Sequence, residues 1–129
     1  MKVRFRKGSF RLRISPSDLD ALLQGAPASE AVEMPGGSWR VVLVAGAETE
    51  IVAHAGTVTA TLSAADVQRL ASAENEGVYF RTEIPAPLDW FVEKDFPCVH
   101  PRAPGVRETR EETFAAPPRF AERHGKGCA

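Results

Sequence analysis

Apolar and polar residues alternate strictly at the start of the chain. Val3, Phe5, Phe10, Leu12 and Ile14 take one side, and Lys2, Arg4, Arg6, Arg11 and Arg13 take the other. This period of two is the signature of half-buried strands. With Lys7-Gly8 as a two-residue turn, Arg6 faces Ser9, Phe5 faces Phe10, Arg4 faces Arg11 and Val3 faces Leu12. Gly8 supplies the positive φ that such a turn requires. The period then lengthens to that of a helix. Ser15 is placed as N-cap, Pro16 as the first helical residue, and Asp18 and Asp20 in the early turns. Leu19, Leu22 and Leu23 form its apolar stripe and Gly25 ends it. Ser29 to Met34 reads as a strand and Pro35-Gly36-Gly37 as a turn. The almost wholly apolar run Trp39 to Ala45 reads as a central or doubly covered strand.

The pattern then starts again. Ile51 to Leu62 reads as a second hairpin with Ala55-Gly56 at its turn, and Ser63 caps a second helix running from Ala64 to about Ala71. Gly8 matches Gly56, Ser15 matches Ser63, Asp18 matches Asp66 and Leu22 matches Leu70, all at one offset (56 − 8 = 48). Two strands follow, Val78 to Ile84 and Leu88 to Lys94, divided by Pro85-Ala86-Pro87. The expected fold class is α+β: a duplicated strand-strand-helix-strand-strand unit forming one antiparallel sheet or a partly closed barrel, with two helices. Residues 1–96 are expected to form a single domain with pseudo-repeats 1–46 and 49–96. Residues 97–129, punctuated by prolines, are expected to form a partly ordered tail that straps across the body through Phe114 and Phe120. Within it, Arg107 to Glu112 is expected to make a turn or two of helix.

Composition narrows the function classes. A chain of 129 residues with 43% hydrophobic and 26% charged residues is an ordinary globular protein that can bury its own core. Sixteen basic and 17 acidic side chains leave a formal net charge of −1. Bulk charge therefore gives no drive toward nucleic acid, which is not expected as a partner. No apolar run approaches the ~18–20 residues of a membrane helix, and the basic, alternating start is unlike a signal peptide. The two cysteines, Cys98 and Cys128, both lie late in the chain and suit free thiols in a reducing compartment, so the cytoplasm is expected.

Chemistry is sparse. The hairpin face carrying Arg4, Arg6, Arg11 and Arg13 holds like charges opposite one another, Arg4 across from Arg11 and Lys2 beside Arg13, which costs stability unless something neutralises it. Such an array can grip carboxylates or phosphates. It can equally be a solvated face balanced by acids such as Glu33, Glu50 or Glu93. Its counterpart in the second hairpin is Val52, His54, Thr57, Thr59 and Thr61, so only one half carries the charge. Glu93 and Asp95 project to one side of the last strand and Lys94 to the other. The two carboxylates are candidates for acid–base work or for pairing with the arginines. Cys98, His100, His124 and Cys128 are considered as zinc ligands and set aside, since only His124-x3-Cys128 has a finger-like spacing; no metal and no cofactor are expected. Trp39, Trp90 and Phe91 are placed in the core. No nucleophilic constellation is present, and Gly36-Gly37 opens no phosphate-binding helix.

Two stretches, Met1 to Leu19 and Val92-Glu93-Lys94-Asp95-Phe96-Pro97-Cys98, resemble a small bacterial family of unknown function with a Val-Glu-Lys-Asp-Phe-x-Cys signature. The resemblance implies a stand-alone cytosolic domain type and no reaction, and it draws attention to Arg11, Arg13, Glu93, Lys94 and Cys98. The expected function is a non-enzymatic cytoplasmic binding or adaptor domain with a protein partner. The alternative is an anion-binding or phosphate-handling enzyme that uses Arg4, Arg6, Arg11 and Arg13 with Glu93 and Asp95 on a small anionic ligand.

Overall fold

The computed structural model describes residues 1–97 and 112–124. Its elements follow the repeated order: β1 (Lys2–Arg6), β2 (Ser9–Ile14), α1 (Pro16–Leu23), β3 (Ala28–Met34) and β4 (Gly37–Gly46), then β5 (Glu50–His54), β6 (Thr57–Ser63), α2 (Ala64–Ala71), β7 (Gly77–Thr82) and β8 (Leu88–Lys94). A short helical segment, α3 (Phe120–His124), follows. The helix starts form as their sequences dictate. The Ser15 hydroxyl accepts from the Asp18 amide while the Asp18 carboxylate accepts from the Ser15 amide, a reciprocal capping box. Ser63 accepts from the Asp66 amide in the same place on α2.

The α+β class and the repeated unit stand, but the strands divide into two four-stranded mixed sheets and no barrel closes. Sheet one has the order β1-β2-β8-β7 and sheet two the order β3-β4-β6-β5. Each half thus gives one hairpin to each sheet, and its helix carries the chain from one sheet to the other. In both sheets the hairpins meet through parallel central strands, β2 with β8 and β4 with β6. A parallel neighbour needs a long crossover, which α1 or α2 alone would not supply within one hairpin. Alternation within each strand is silent about which strand will be its neighbour; hence the difference from one antiparallel sheet.

The two halves interlock in the same way. The Asp89 amide donates to the Gly8 carbonyl at 3.0 Å, and the Arg40 amide donates to the Gly56 carbonyl at 2.9 Å. Gly8 and Gly56 are 48 apart, and Arg40 and Asp89 are 49 apart (89 − 40), so each turn is clasped by the equivalent strand of the other half. The core repeats the symmetry. Leu12, Ile14, Trp90 and Val92 from sheet one meet Val41, Leu43, Ala60 and Leu62 from sheet two in one buried cluster with Leu19, Leu22, Val67 and Leu70 of the helices. Burying a side chain of this kind stabilises by about 1.5–3 kcal/mol.

The first hairpin has the expected register, Lys2 opposite Arg13 through Arg6 opposite Ser9. Three apolar residues differ from expectation. Leu23 is exposed at the end of α1. Phe91 lies on the outer face of sheet one, because Trp90 and Val92 take the inward positions of β8. Trp39 is only partly buried at the margin of the core. Residues 112–124 lie against the body: the Phe114 amide donates to the Asp95 carbonyl at 2.9 Å, and Phe96 packs on Phe114 and Phe120. The segment Arg107 to Glu111, where a helical turn was expected, is outside the described residues.

The turn at Ala55-Gly56 holds both residues at positive φ, 47° and 79°. Ala55 therefore bears the steric cost of a left-handed conformation that glycine avoids. Ala55→Gly relieves roughly 1–2 kcal/mol of left-handed strain against about 0.4–1 kcal/mol of added unfolded-chain entropy, so stability is expected to rise, read as an increased denaturant midpoint at unchanged slope. A decrease would show that the turn does not hold this conformation.

Candidate functional site

Register builds the outer face of sheet one from four strands. Arg4 of β1, Arg11 of β2, Phe91 of β8 and Tyr79 of β7 lie in one row across it. Lys2, Arg13, Glu93 and Gly77 form the next row. The like-charge pairs of the hairpin are relieved by acids from β8 and its C-terminal end. Arg11 Nε donates to Glu93 Oε2 at 2.9 Å, and its guanidinium stands 5.9 Å from the centre of the Phe91 ring. Lys2 Nζ lies 2.8 Å from Asp95 Oδ2, and Arg13 Nη1 lies 3.9 Å from Asp95 Oδ1. Asp95 is buried, and these two cations are its ion-pair partners. Glu93 and Asp95 thus each face a cation rather than each other, and of the three acids considered as partners for the arginines, Glu93 is the one in place.

Tyr79 completes this row from the far edge. Its hydroxyl donates to Glu93 Oε1 at 3.2 Å, and its ring lies against Phe91. Partial burial and the adjacent Glu93 carboxylate push the phenol up to about 12.

Arg4 and Arg6 are different. Both are exposed, and neither has an acidic partner among the described residues. They sit on β1, the outer edge of sheet one, and β3 is the outer edge of sheet two; side chains from the β1 end of the chain approach β3 and the start of β4. The two edges are not hydrogen-bonded to each other along this seam. Side chains bridge the two sheets at two places: the Met1 amine, just ahead of β1, reaches Glu30 of β3 at 3.0 Å, and the Phe5 ring lies 5.8 Å from Trp39 of β4. Between them runs a groove. One part, about 600 Å³, is lined by Phe5, Met34, Pro35 and Trp39; the other, about 260 Å³, by Met1, Val3, Val32 and Trp39. Phe5 is 66% exposed, and Val32 and Met34 are about half exposed, so this is uncovered apolar surface. The equivalent positions of the other seam are Ala53 for Phe5 and Leu88 for Trp39. At these two positions only the first half is aromatic, while the other half has its own edge aromatic, Phe80 of β7, packed on Trp90.

The inward position of Lys94 escaped the sequence reading as a functional feature, although alternation already set it opposite Glu93 and Asp95. It is 8% exposed, and its Nζ donates to the Ser72 carbonyl at 2.7 Å. Burial lowers its pKa below the ordinary lysine value. Of the zinc candidates, Cys98, His100 and Cys128 and the side chain of His124 lie outside the described residues. Among the described residues no group of histidine, cysteine and acidic side chains is arranged to hold a metal, and no helix is long and apolar enough to cross a membrane.

The fold and surface together define a two-sheet α+β domain with a neutralised charge face, an open aromatic seam and one buried lysine. The family model for a family of unknown function, DUF7009, matches residues 1–118, and the chain belongs to that family. No curated protein and no solved structure matches it.

The state of the charge face can be read from Tyr79, the chain's single tyrosine. Ultraviolet titration should show phenolate forming at about 12, and Glu93→Gln should return the midpoint toward the ordinary value of about 10. The sign for stability follows. The native phenol holds its proton more tightly than the unfolded one, so Tyr79 contributes below the unfolded value and loses that contribution as pH rises through the native one. A midpoint unchanged by Glu93→Gln would contradict the contact.

Proposed function

We propose that this protein is a non-enzymatic binding module whose docking surface is the seam between β1 and β3. The observation that carries the reading is the coincidence of uncovered aromatic surface with two unneutralised arginines at an open sheet edge. The same sheet pairs Arg11 and Arg13 with acids and leaves Arg4 and Arg6 without an acidic partner among the described residues.

Edge geometry supports an extended occupant. In an antiparallel pair, alternate residues exchange hydrogen bonds with the neighbouring strand and the others point outward. Since Arg6 and Ser9 close the two-residue turn, Val3 and Phe5 are the residues whose backbone groups face the open edge. An extended segment of a partner protein can pair there, adding a strand to sheet one. Its side chains would then alternate between the groove at Phe5 and Trp39 and the opposite face at Arg4 and Arg6. The partner segment is therefore extended, with apolar and acidic residues in alternation. A bacterial cytoplasmic setting, in which a small adaptor meets such segments, is part of this reading.

Panning a random-peptide library against the protein should enrich sequences of that alternating type. Trp39→Ala, and separately the pair Arg4→Ser with Arg6→Ser, should each weaken the enriched peptides by about tenfold or more, as loss of one anchor or one charge pair commonly does. Enriched peptides indifferent to both changes, or no enrichment, would overturn the reading.

A second reading rests on a separate observation. A small cleft of about 80 Å³ lies among Lys2, Val3, Arg4, Arg11 and Arg13, on the charged face of the hairpin. The walls are mainly the aliphatic stems of these side chains; Lys2, Arg11 and Arg13 face Asp95 or Glu93, so a small oxyanion at the mouth of the cleft would rest chiefly on Arg4 and on turning those heads toward it. Thermal unfolding in inorganic phosphate or pyrophosphate, at ionic strength matched with chloride, should then shift upward, and Arg4→Ser should abolish the shift. An equal midpoint in phosphate and chloride would end this second reading.

A further inference from the structure

We propose that Lys94 is a covalent capture site for small apolar aldehydes, which it binds as an imine inside the cavity beneath residues 112–124. This site is independent of the β1–β3 seam and makes use of different residues.

The cavity has a volume of about 330 Å³ and is walled by Leu19 of α1, Ala71 at the end of α2, Phe96, Phe114 and Pro117, with Glu74, Glu76 and Arg123 at its polar side. Lys94 enters it from the last inward position of β8, after Trp90 and Val92. The equivalent inward residue of β4 is Ala45 (94 − 45 = 49), so an amine has been set where the other half has only a methyl group. No carboxylate lies within ion-pair distance of Nζ among the described residues; its contacts are the Ser72 carbonyl at 2.7 Å and the Phe114 ring, whose centre is 5.7 Å away. Glu76 is held by Arg123 at 2.8 Å.

Burial without an ion-pair partner raises the neutral, nucleophilic share of the amine relative to an exposed lysine, while the Ser72 carbonyl and the Phe114 ring face hold the ammonium when it forms. An ammonium removed from water without a counter-ion is disfavoured against the neutral amine. The lowered pKa of Lys94 agrees. A neutral amine can still donate one N–H to Ser72 while presenting its lone pair to the cavity. The exposed Lys7 has no such surroundings, and Lys2 is committed to Asp95.

The ligand class follows from the walls. Leucine, phenylalanine and proline accept an apolar or aromatic body, while Glu74 and Glu76 disfavour an anionic one. In the reaction the Lys94 lone pair forms the C–N bond, the carbonyl π pair moves to oxygen, and oxygen takes a proton as nitrogen loses one. The carbinolamine then expels its hydroxyl as water, with a proton that Glu74 at the cavity wall can relay, and nitrogen loses its remaining extra proton. Amine and aldehyde give imine and water, with no oxidant or reductant consumed.

Benzaldehyde with cyanoborohydride, followed by peptide mass mapping of the intact protein's digest, tests the assignment. At neutral pH the benzyl group should appear on Lys94 severalfold faster than on Lys7, and with glyoxylate, an anionic aldehyde, the ratio of Lys94 to Lys7 labelling should be lower than with benzaldehyde. Raising the pH should narrow the preference. Lys94→Met, checked for a native circular dichroism spectrum, should lose the fast phase. Labelling of Lys7 ahead of Lys94 by benzaldehyde in the unaltered protein would overturn the proposal, whatever the variant does, and so would a Lys94 to Lys7 ratio as high with glyoxylate as with benzaldehyde.

Discussion

The parallel contact between central strands is the constraint on which the structure depends. β2 lies along β8, and β4 along β6, so each sheet is assembled from one hairpin of each half. A hairpin alone is marginal in water. Joined in fours, these hairpins bury Leu12, Ile14, Val92, Val41, Leu43 and Leu62 completely. The clasp of each turn glycine by the opposite half, Gly8 by Asp89 and Gly56 by Arg40, holds the register of both parallel contacts at once. Neither half can complete a sheet without the other.

That constraint also explains the stretch Val92-Glu93-Lys94-Asp95-Phe96. It sits where β8 ends beside β2 and the helices, and successive side chains serve different neighbours. Val92 fills the core, Glu93 holds Arg11 and Tyr79, and Lys94 reaches Ser72. Asp95 gathers Lys2 and Arg13, and Phe96 receives Phe114 and Phe120. Five consecutive residues thus connect both strands of the first hairpin, the end of α2 and the C-terminal segment. The cost of like charges on the hairpin is met from a strand more than 80 residues away.

Much of this was legible in the sequence because it is local. The alternation in Val3 to Ile14 determines the first hairpin's register, and Ser15 and Ser63 announce their helices through side-chain-to-backbone bonds only a few residues long. The offset between Gly8 and Gly56 shows the repeat. What escaped is non-local. Period two tells which residues share a face, but not which strand lies alongside, so the division into two sheets was out of reach. Phe91 was misplaced for a related reason: its aromatic character suggested core, whereas its parity relative to Trp90 put it outside with Arg11 and Tyr79. Of the candidate residues, the pairing of Glu93 and Asp95 with arginines was among the expected outcomes. The exposure of Arg4 and Arg6 beside Phe5 and Trp39 required knowing that β1 and β3 are edges of different sheets.

The functional account rests on the asymmetry of a nearly symmetric fold. One seam carries Phe5, Trp39, Arg4 and Arg6; at the equivalent places the other carries Ala53, Leu88, Val52 and His54. Packing accounts for part of the difference, since Trp39 lies against the core and Phe5 stacks on Phe10; the exposed remainder, with Arg4 and Arg6, is what the proposed partner segment would use. The most direct measurement is an amide and indole NMR titration with a synthetic hexapeptide alternating valine and glutamate. The account predicts shifts concentrated at Val3, Phe5, Val32, Met34 and the Trp39 indole, weakening as salt screens Arg4 and Arg6. Shifts confined to the Tyr79 and Phe91 side, or none at saturating peptide, would contradict it.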